Sequence, residues 1–306
     1  MNQVTSILFF MLTFSSTYSQ EVGILEYERI DNLITLNDFE QVKSKLAKLE
    51  QTKDLSIINL HKIYDYKIRV AQLEKHDEEE ISLMKMYVLD TNFDSVFIKN
   101  KRYQRFHPRN DTFRVYLNKS SFSRQLAKIY QAKKDYKQAL EFLTLHETKY
   151  LFPHPCGTGH RSDEFERQII SGKIHQNLGN HKMVFKKLLP LTFRYINRDK
   201  KRIDSILMTS LNLVYTKREI HDEFRRCIKS IPDEEPASYL GSGTEINIFD
   251  INFIIHSVKR LQNQEERKRN IYKIKDNEKR EKIRKEIYRE TYKSILNTNR
   301  IYKLVS

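Results

Sequence analysis

Glycine and proline are scarce in this chain, seven and six among 306 residues, where average usage is roughly 7% and 5%. A β-sandwich needs turn residues about every 8–12 positions, and that supply is missing. Beyond the N-terminus no stretch approaches the ~18 consecutive apolar residues of a membrane-spanning helix, so no transmembrane segment is expected in the mature chain. Cysteine occurs only twice, at Cys156 and Cys227. Complete catalytic signatures are also missing. Gly157-Thr158-Gly159 is not followed by the Gly-Lys-Ser/Thr of a phosphate loop. Gly241-Ser242-Gly243-Thr244 lacks a nucleophile-elbow context, and there is no His-Glu-x-x-His helix. The expectation is a non-enzymatic protein without a cofactor.

What is abundant is charge. Lys and Arg number 55 against 40 Asp and Glu, a formal balance of +15, and charged residues make up 31% of the chain. With so few breakers, this composition predicts an all-α protein. The charge sets long-range attraction toward acidic partners or an anionic envelope surface. Lys101-Arg102-Tyr103-Gln104-Arg105-Phe106 has the basic-aromatic look of a nucleic-acid contact. The N-terminus argues against that partner. Val4 to Phe14 is an apolar stretch of signal-peptide length, and Thr17 and Ser19 supply small residues before a cut at Ser19/Gln20. Residues 1–19 are therefore read as a signal peptide, with export to the periplasm, the cell surface or the medium. An oxidising compartment permits a Cys156–Cys227 disulfide; two separate buried thiols are the alternative.

Helix pairs recur along the rest. Leu126, Ala127 and Tyr130 share one face of a first helix, and Lys133-Lys134-Asp135 makes a short polar turn. Tyr136, Ala139, Leu140 and Leu143 follow at i, i+3, i+4 and i+7, the period of a second amphipathic helix. Two helices joined by so short a turn lie antiparallel. Gly172, His175, Gly179-Asn180 and Leu188 repeat the pattern 45 residues on. Leu211, Tyr215, Phe224, Ile228 and Pro236 repeat it again, and Asn37-Asp38-Phe39 with Val42, Leu46 and Leu49 looks like the second helix of a first unit. Leu55–Leu73 and Glu78–Leu89 form a further pair.

The segment Ser123–Tyr150 resembles the tetratricopeptide repeat: Leu126, Ala127, Tyr130, Tyr136, Ala139 and Leu143 fill six of its signature places. It departs at Ser123, where the family has Trp, at His146, where it prefers Ala, and at Leu151, where it often has Pro. The spacing between copies also exceeds the family's ~34 residues. The resemblance implies a TPR-like α-solenoid, an array of antiparallel helix pairs over residues 20–240. It further implies an interaction scaffold gripping a protein or peptide, acidic for choice, on a groove of the stacked helices. Arg124, Lys128 and Tyr130 are the candidate groove residues. Residues 241–306 are read as an apolar capping helix, Ile246–Leu261, followed by a basic helical extension directed outward.

Two other readings compete. His154, Cys156 and His160 lie in a Pro/Gly-rich loop, with ligand types suited to Zn or to thiol chemistry. Neither a matching second ligand pair nor an orienting group is evident. The basic stretches offer a polyanion or nucleic-acid binder instead. Asn100–Lys119 and Tyr150–Asp163 are both expected to be irregular loops.

Overall fold

A computed structural model describes residues 25–52, 55–94, 111–151, 157–193, 200–231, 244–255 and 257–306. The protein is predominantly helical, and its only sheet among those residues is a two-stranded hairpin. Thirteen α-helices are described. They are α1 (residues 25–35), α2 (Phe39–Glu50), α3 (Ile57–Glu74), α4 (Asp77–Leu89), α5 (Asp111–Ala132), α6 (Tyr136–Thr148), α7 (Gly157–Asn177), α8 (His181–Leu188), α9 (Lys200–Val214), α10 (Lys217–Lys229), α11 (Ser257–Lys268), α12 (Asn277–Asn297) and α13 (Arg300–Val305). Strands β1 (Thr244–Ile248) and β2 (Ile251–Ile255) sit between α10 and α11.

One turn is used four times. Asn37, Lys75, Lys134 and Gly179 each follow a helix in the left-handed conformation, with φ of 57°, 59°, 63° and 73°. The next residue's N–H then reaches back to the helix: Asp38 to Leu33, His76 to Ala71, Asp135 to Tyr130 and Asn180 to His175, each at 2.9 Å. The left-handed residue bonds a second carbonyl, at 3.0–3.2 Å. Both bonds satisfy carbonyls that the helix end leaves without donors. The residue after the turn starts the next helix, and Asp38 and Asp135 accept from the N–H groups of Gln41 and Gln138. Tyr130 and His175, which the sequence pattern places in register, therefore hold the same position of the same turn. The α9–α10 pair breaks the rule: Thr216 and Glu219 form a reciprocal capping box instead.

The chain divides into two compact units. The first takes the described residues up to Leu126 and resumes at Thr144; the second takes Ala127–Leu143 and the described residues beyond Pro153. In the first, Tyr27, Ile30 and Ile34 of α1 pack on Val42 and Leu46 of α2 and on Ile63 and Val70 of α3. A second cluster centres on Tyr87, Phe93 and Val115. In the second unit one core joins α7–α10, the hairpin and the C-terminal helices. Gly172 lies against Leu188 there so closely that an added Cβ would stand 2.7 Å from the leucine's Cγ.

Four expectations are corrected, one of them the loop expected over Tyr150–Asp163, whose backbone from Gly157 onward forms the first turns of α7. Residues 111–119 are not loop but the first turns of α5, and Lys119 is fully buried. The segment expected as a helix over Ile246–Leu261 is a β-hairpin as far as Ile255. Ile248 pairs with Ile251 across a two-residue turn, and Phe249 and Asp250 both take positive φ, as a type I′ turn requires. Ile246, Ile248 and Ile255 point into the core, a period of two rather than 3.6. Nor does the basic tail run outward. Ile287, Tyr288, Tyr292, Ile295 and Leu296 of α12, with Ile301 of α13, are buried in the second unit. Burying each such apolar side chain contributes about 1.5–3 kcal/mol, which favours docking of the helix on the core.

Gly172→Ala tests this packing. Helix propensity alone would stabilise the variant by about 1 kcal/mol. The contact with fully buried Leu188 reverses the sign, and denaturant unfolding is expected to show a loss of about 1–3 kcal/mol. A gain would contradict the close approach.

Candidate functional site, a cleft lined by the first helices of three pairs

Helices α1, α3 and α5 are the first members of their pairs. Each turns one face toward a shared cleft of about 510 Å³ in the first unit. Tyr27, Glu28 and Asp31 come from α1; His61, Lys62, Asp65 and Tyr66 from α3; Arg114, Leu117 and Asn118 from α5. Their spacing of three and four residues within each helix is that of a single helix face.

An aromatic ledge forms one part of the wall. The rings of Tyr27 and Tyr66 stack at 5.9 Å with 9° between their planes, and the Lys62 ammonium sits 4.7 Å from the centre of the Tyr27 ring. Tyr27 donates to Asn59 Oδ1 at 3.2 Å, and Tyr66 donates to Asp31 Oδ2 at 2.9 Å. Burial pushes the Tyr27 hydroxyl up to about 12. Burial, and then the Asp31 carboxylate, raise that of Tyr66. Both phenols stay protonated at neutral pH and serve as stacking and hydrogen-bonding groups. Charge in the cleft is mixed: Asp31 faces Arg69 at 3.3 Å, and Asp65 accepts from Asn118 at 3.1 Å. Glu28 and Arg114 add one exposed charge of each sign.

Beneath the cleft lies a polar chain that ties three helices together. His61, 3% exposed, places Nδ1 2.9 Å from the Tyr87 hydroxyl, which donates onward to the Val115 carbonyl at 3.4 Å. Lys119 is the unusual member of this region. Its side chain is wholly buried, and its ammonium donates to the carbonyls of Val88 at 2.9 Å and Asp90 at 2.7 Å. The Tyr150 hydroxyl lies at 3.4 Å and Asp94 Oδ1 at 3.8 Å. The rings of Phe93 and Tyr150 face the ammonium at 5.3 and 5.1 Å. The end of α4 leaves carbonyls without intrahelical donors and carries the negative end of the helix dipole, so a cation there fastens α4 to α5. Burial nevertheless holds the Lys119 amine down at about 8, against the pull of Asp94. Enclosed on all sides, it is a fastener and not a nucleophile.

The sequence-predicted residues lie elsewhere. Arg124 is half-buried on α5. Lys128 is exposed, 4.0 Å from Glu166. Tyr130 stacks on Phe142 at 5.6 Å and 6°, a packing contact. None of the three lines the cleft. His154 and Cys156 lie outside the described residues, as does the side chain of His160, whose backbone is in the first turn of α7. Cys227 is a free buried thiol that donates to the Asn247 carbonyl at 2.8 Å. Burial raises it to about 11, which keeps it unreactive at neutral pH. Among the described residues no group of three or more His, Cys, Asp or Glu is placed to hold a metal ion, and no helix is long and apolar enough to cross a membrane. The cleft and Lys119 escaped sequence reasoning. The only signal for the cleft is the polar-aromatic spacing of Tyr27 with Asp31 and of Lys62 with Tyr66.

No protein-family model matches the chain, and no curated protein or solved structure matches it either.

The low affinity of Lys119 for its proton has a measurable consequence. Between pH ~8 and ~10.5 the unfolded chain holds a proton at this amine that the folded chain has released, so this group's contribution to stability rises with pH. The raised Cys227 thiol acts in the opposite sense from about 9 and the raised tyrosines only above about 10, so the Lys119 contribution is read as the difference in slope between the two proteins. Chemical denaturation from pH 7.5 to 9.5 is expected to show a stability increase that Lys119→Met removes. Identical slopes for the two proteins would overturn the burial argument.

Proposed function

We propose that this is an exported, non-enzymatic interaction protein that holds a peptide or protein segment of a partner in the cleft of α1, α3 and α5. The observation that carries the reading is the composition of that cleft. Three successive first helices contribute one face each, and together they present stacked neutral tyrosines, the Asn118 amide and charges of both signs. Such groups recognise a chain rather than transform it. The four-fold reuse of one left-handed turn supports an array of tetratricopeptide-like pairs, in which first helices line one surface. Export rests on the signal-like N-terminus.

Affinity capture with chemical cross-linking in intact cells tests the binding claim. Glu28→Lys combined with Arg114→Glu reverses two exposed cleft charges without touching the core. It is expected to lower recovery of a stoichiometric partner at least tenfold; equal recovery would remove the cleft from the account. N-terminal sequencing of the secreted-fraction protein is expected to begin at Gln20, and a retained Met1 would contradict export.

A further inference from the structure

The positive charge of the chain is unevenly distributed. From Ser257 to the C-terminus there are sixteen Lys and Arg against seven Asp and Glu. The densest part is the turn between α11 and α12, where residues 267–275 carry five cations and no carboxylate. Buried Ile271 anchors this turn, and Asn270 takes φ of 52° to make it. Tyr272 stands 63% exposed at the tip. Its hydroxyl donates to Asn270 Oδ1 at 2.8 Å, which holds the ring against the turn.

Two of the five cations have acidic partners. Lys268 meets Glu265, and Arg269 meets Glu290, both at 2.6 Å. Arg267, Lys273 and Lys275 are exposed, and among the described residues none of them has a carboxylate within ion-pair distance. The nearest following acid, Asp276, accepts the Lys279 N–H at 3.1 Å and caps α12. An exposed aromatic thus lies on the turn of a helical hairpin, flanked on both sides by cations without acidic partners among the described residues.

We propose that this tip docks the protein on the surface of a bilayer containing anionic lipids. Tyr272 seats at the headgroup level, and Arg267, Lys273 and Lys275 lie among the phosphates. Tyrosine is enriched at membrane–water interfaces because its ring is apolar and its hydroxyl polar. Each nearby Lys or Arg strengthens adsorption to an anionic leaflet by roughly fivefold. No acyl chain or spanning helix is invoked, so the attachment is peripheral, reversible and salt-sensitive. This surface is separate from the cleft and does not depend on the peptide-binding reading.

Partition of the full-length protein onto vesicles tests it. The chain has no tryptophan, so Tyr272→Trp installs a single emitter at the tip. Vesicles of phosphatidylcholine with a third phosphatidylglycerol are expected to bind the protein at low salt, release it at 0.5 M salt and shift the tryptophan emission to the blue. Lys273→Glu with Lys275→Glu is expected to weaken that partition about 30-fold or more, while Glu28→Lys with Arg114→Glu leaves it unchanged. Binding undiminished in the tip variant would overturn the proposal, as would binding without a spectral shift. Equal affinity for soluble polyglutamate or duplex DNA, displacing the vesicles, would assign the tip to polyanions instead and equally overturn it.

Discussion

The fold depends on a three-residue reversal in which one residue goes left-handed and the next N–H closes back on the helix it has left. Reversal within three residues forces adjacent helices antiparallel and keeps each pair's apolar stripes in contact. It also determines which helices are first and which second in each pair. Only one of the four sites uses glycine, the residue for which left-handed φ costs nothing. Asn37 tolerates it moderately well, but Lys75 and Lys134 adopt it against their preference, so hydrogen bonding and packing on both sides hold them there. The four instances share 2.9 Å closures, which makes the turn a property of the architecture rather than of local sequence.

From that constraint the cleft follows. Helices α1, α3 and α5 line one cleft, and what they present depends on a few side chains at helical spacing. Fixed tyrosine rings and amides give a surface that loses little conformational entropy on binding. The buried links below it, from His61 through Tyr87 to Val115 and from Lys119 to the end of α4, couple α3, α4 and α5. The lining residues therefore stand on supported elements. Lys119 illustrates the exchange involved: its ammonium is costly to bury, yet it donates to the Val88 and Asp90 carbonyls at the end of α4.

Much of the helical architecture was legible in the residues. Few breakers and 3.6-residue periodicity marked the helices. The polar turns at Asn37-Asp38, Lys133–Asp135 and Gly179-Asn180 lie where the pattern placed them, and Tyr130 and His175 were correctly set in register. Three features were not legible, each for a physical reason. The hairpin at 244–255 contains so many isoleucines that both periods fit it, and its turn, Phe249-Asp250, lacks the glycine or asparagine that usually marks a type I′ reversal. The docking of α12 was masked by its charge, although Ile287, Tyr288, Thr291, Tyr292 and Ile295 form a helical stripe. Lys119 looked like any solvent-exposed lysine, because its cage is assembled from Tyr87, Phe93 and Tyr150, about thirty residues away on either side. The cleft likewise exists only once three separate helices meet.

The central claim is that the face shared by α1, α3 and α5 is where a partner chain is held. Its most direct test is a photo-reactive amino acid placed in intact cells at Leu117, a cleft residue 41% exposed, and separately at Leu36, which is 74% exposed and outside the cleft. Irradiation is expected to give a discrete cross-linked product from position 117 and none from position 36. No product at 117, or the same product from both positions, would contradict the account.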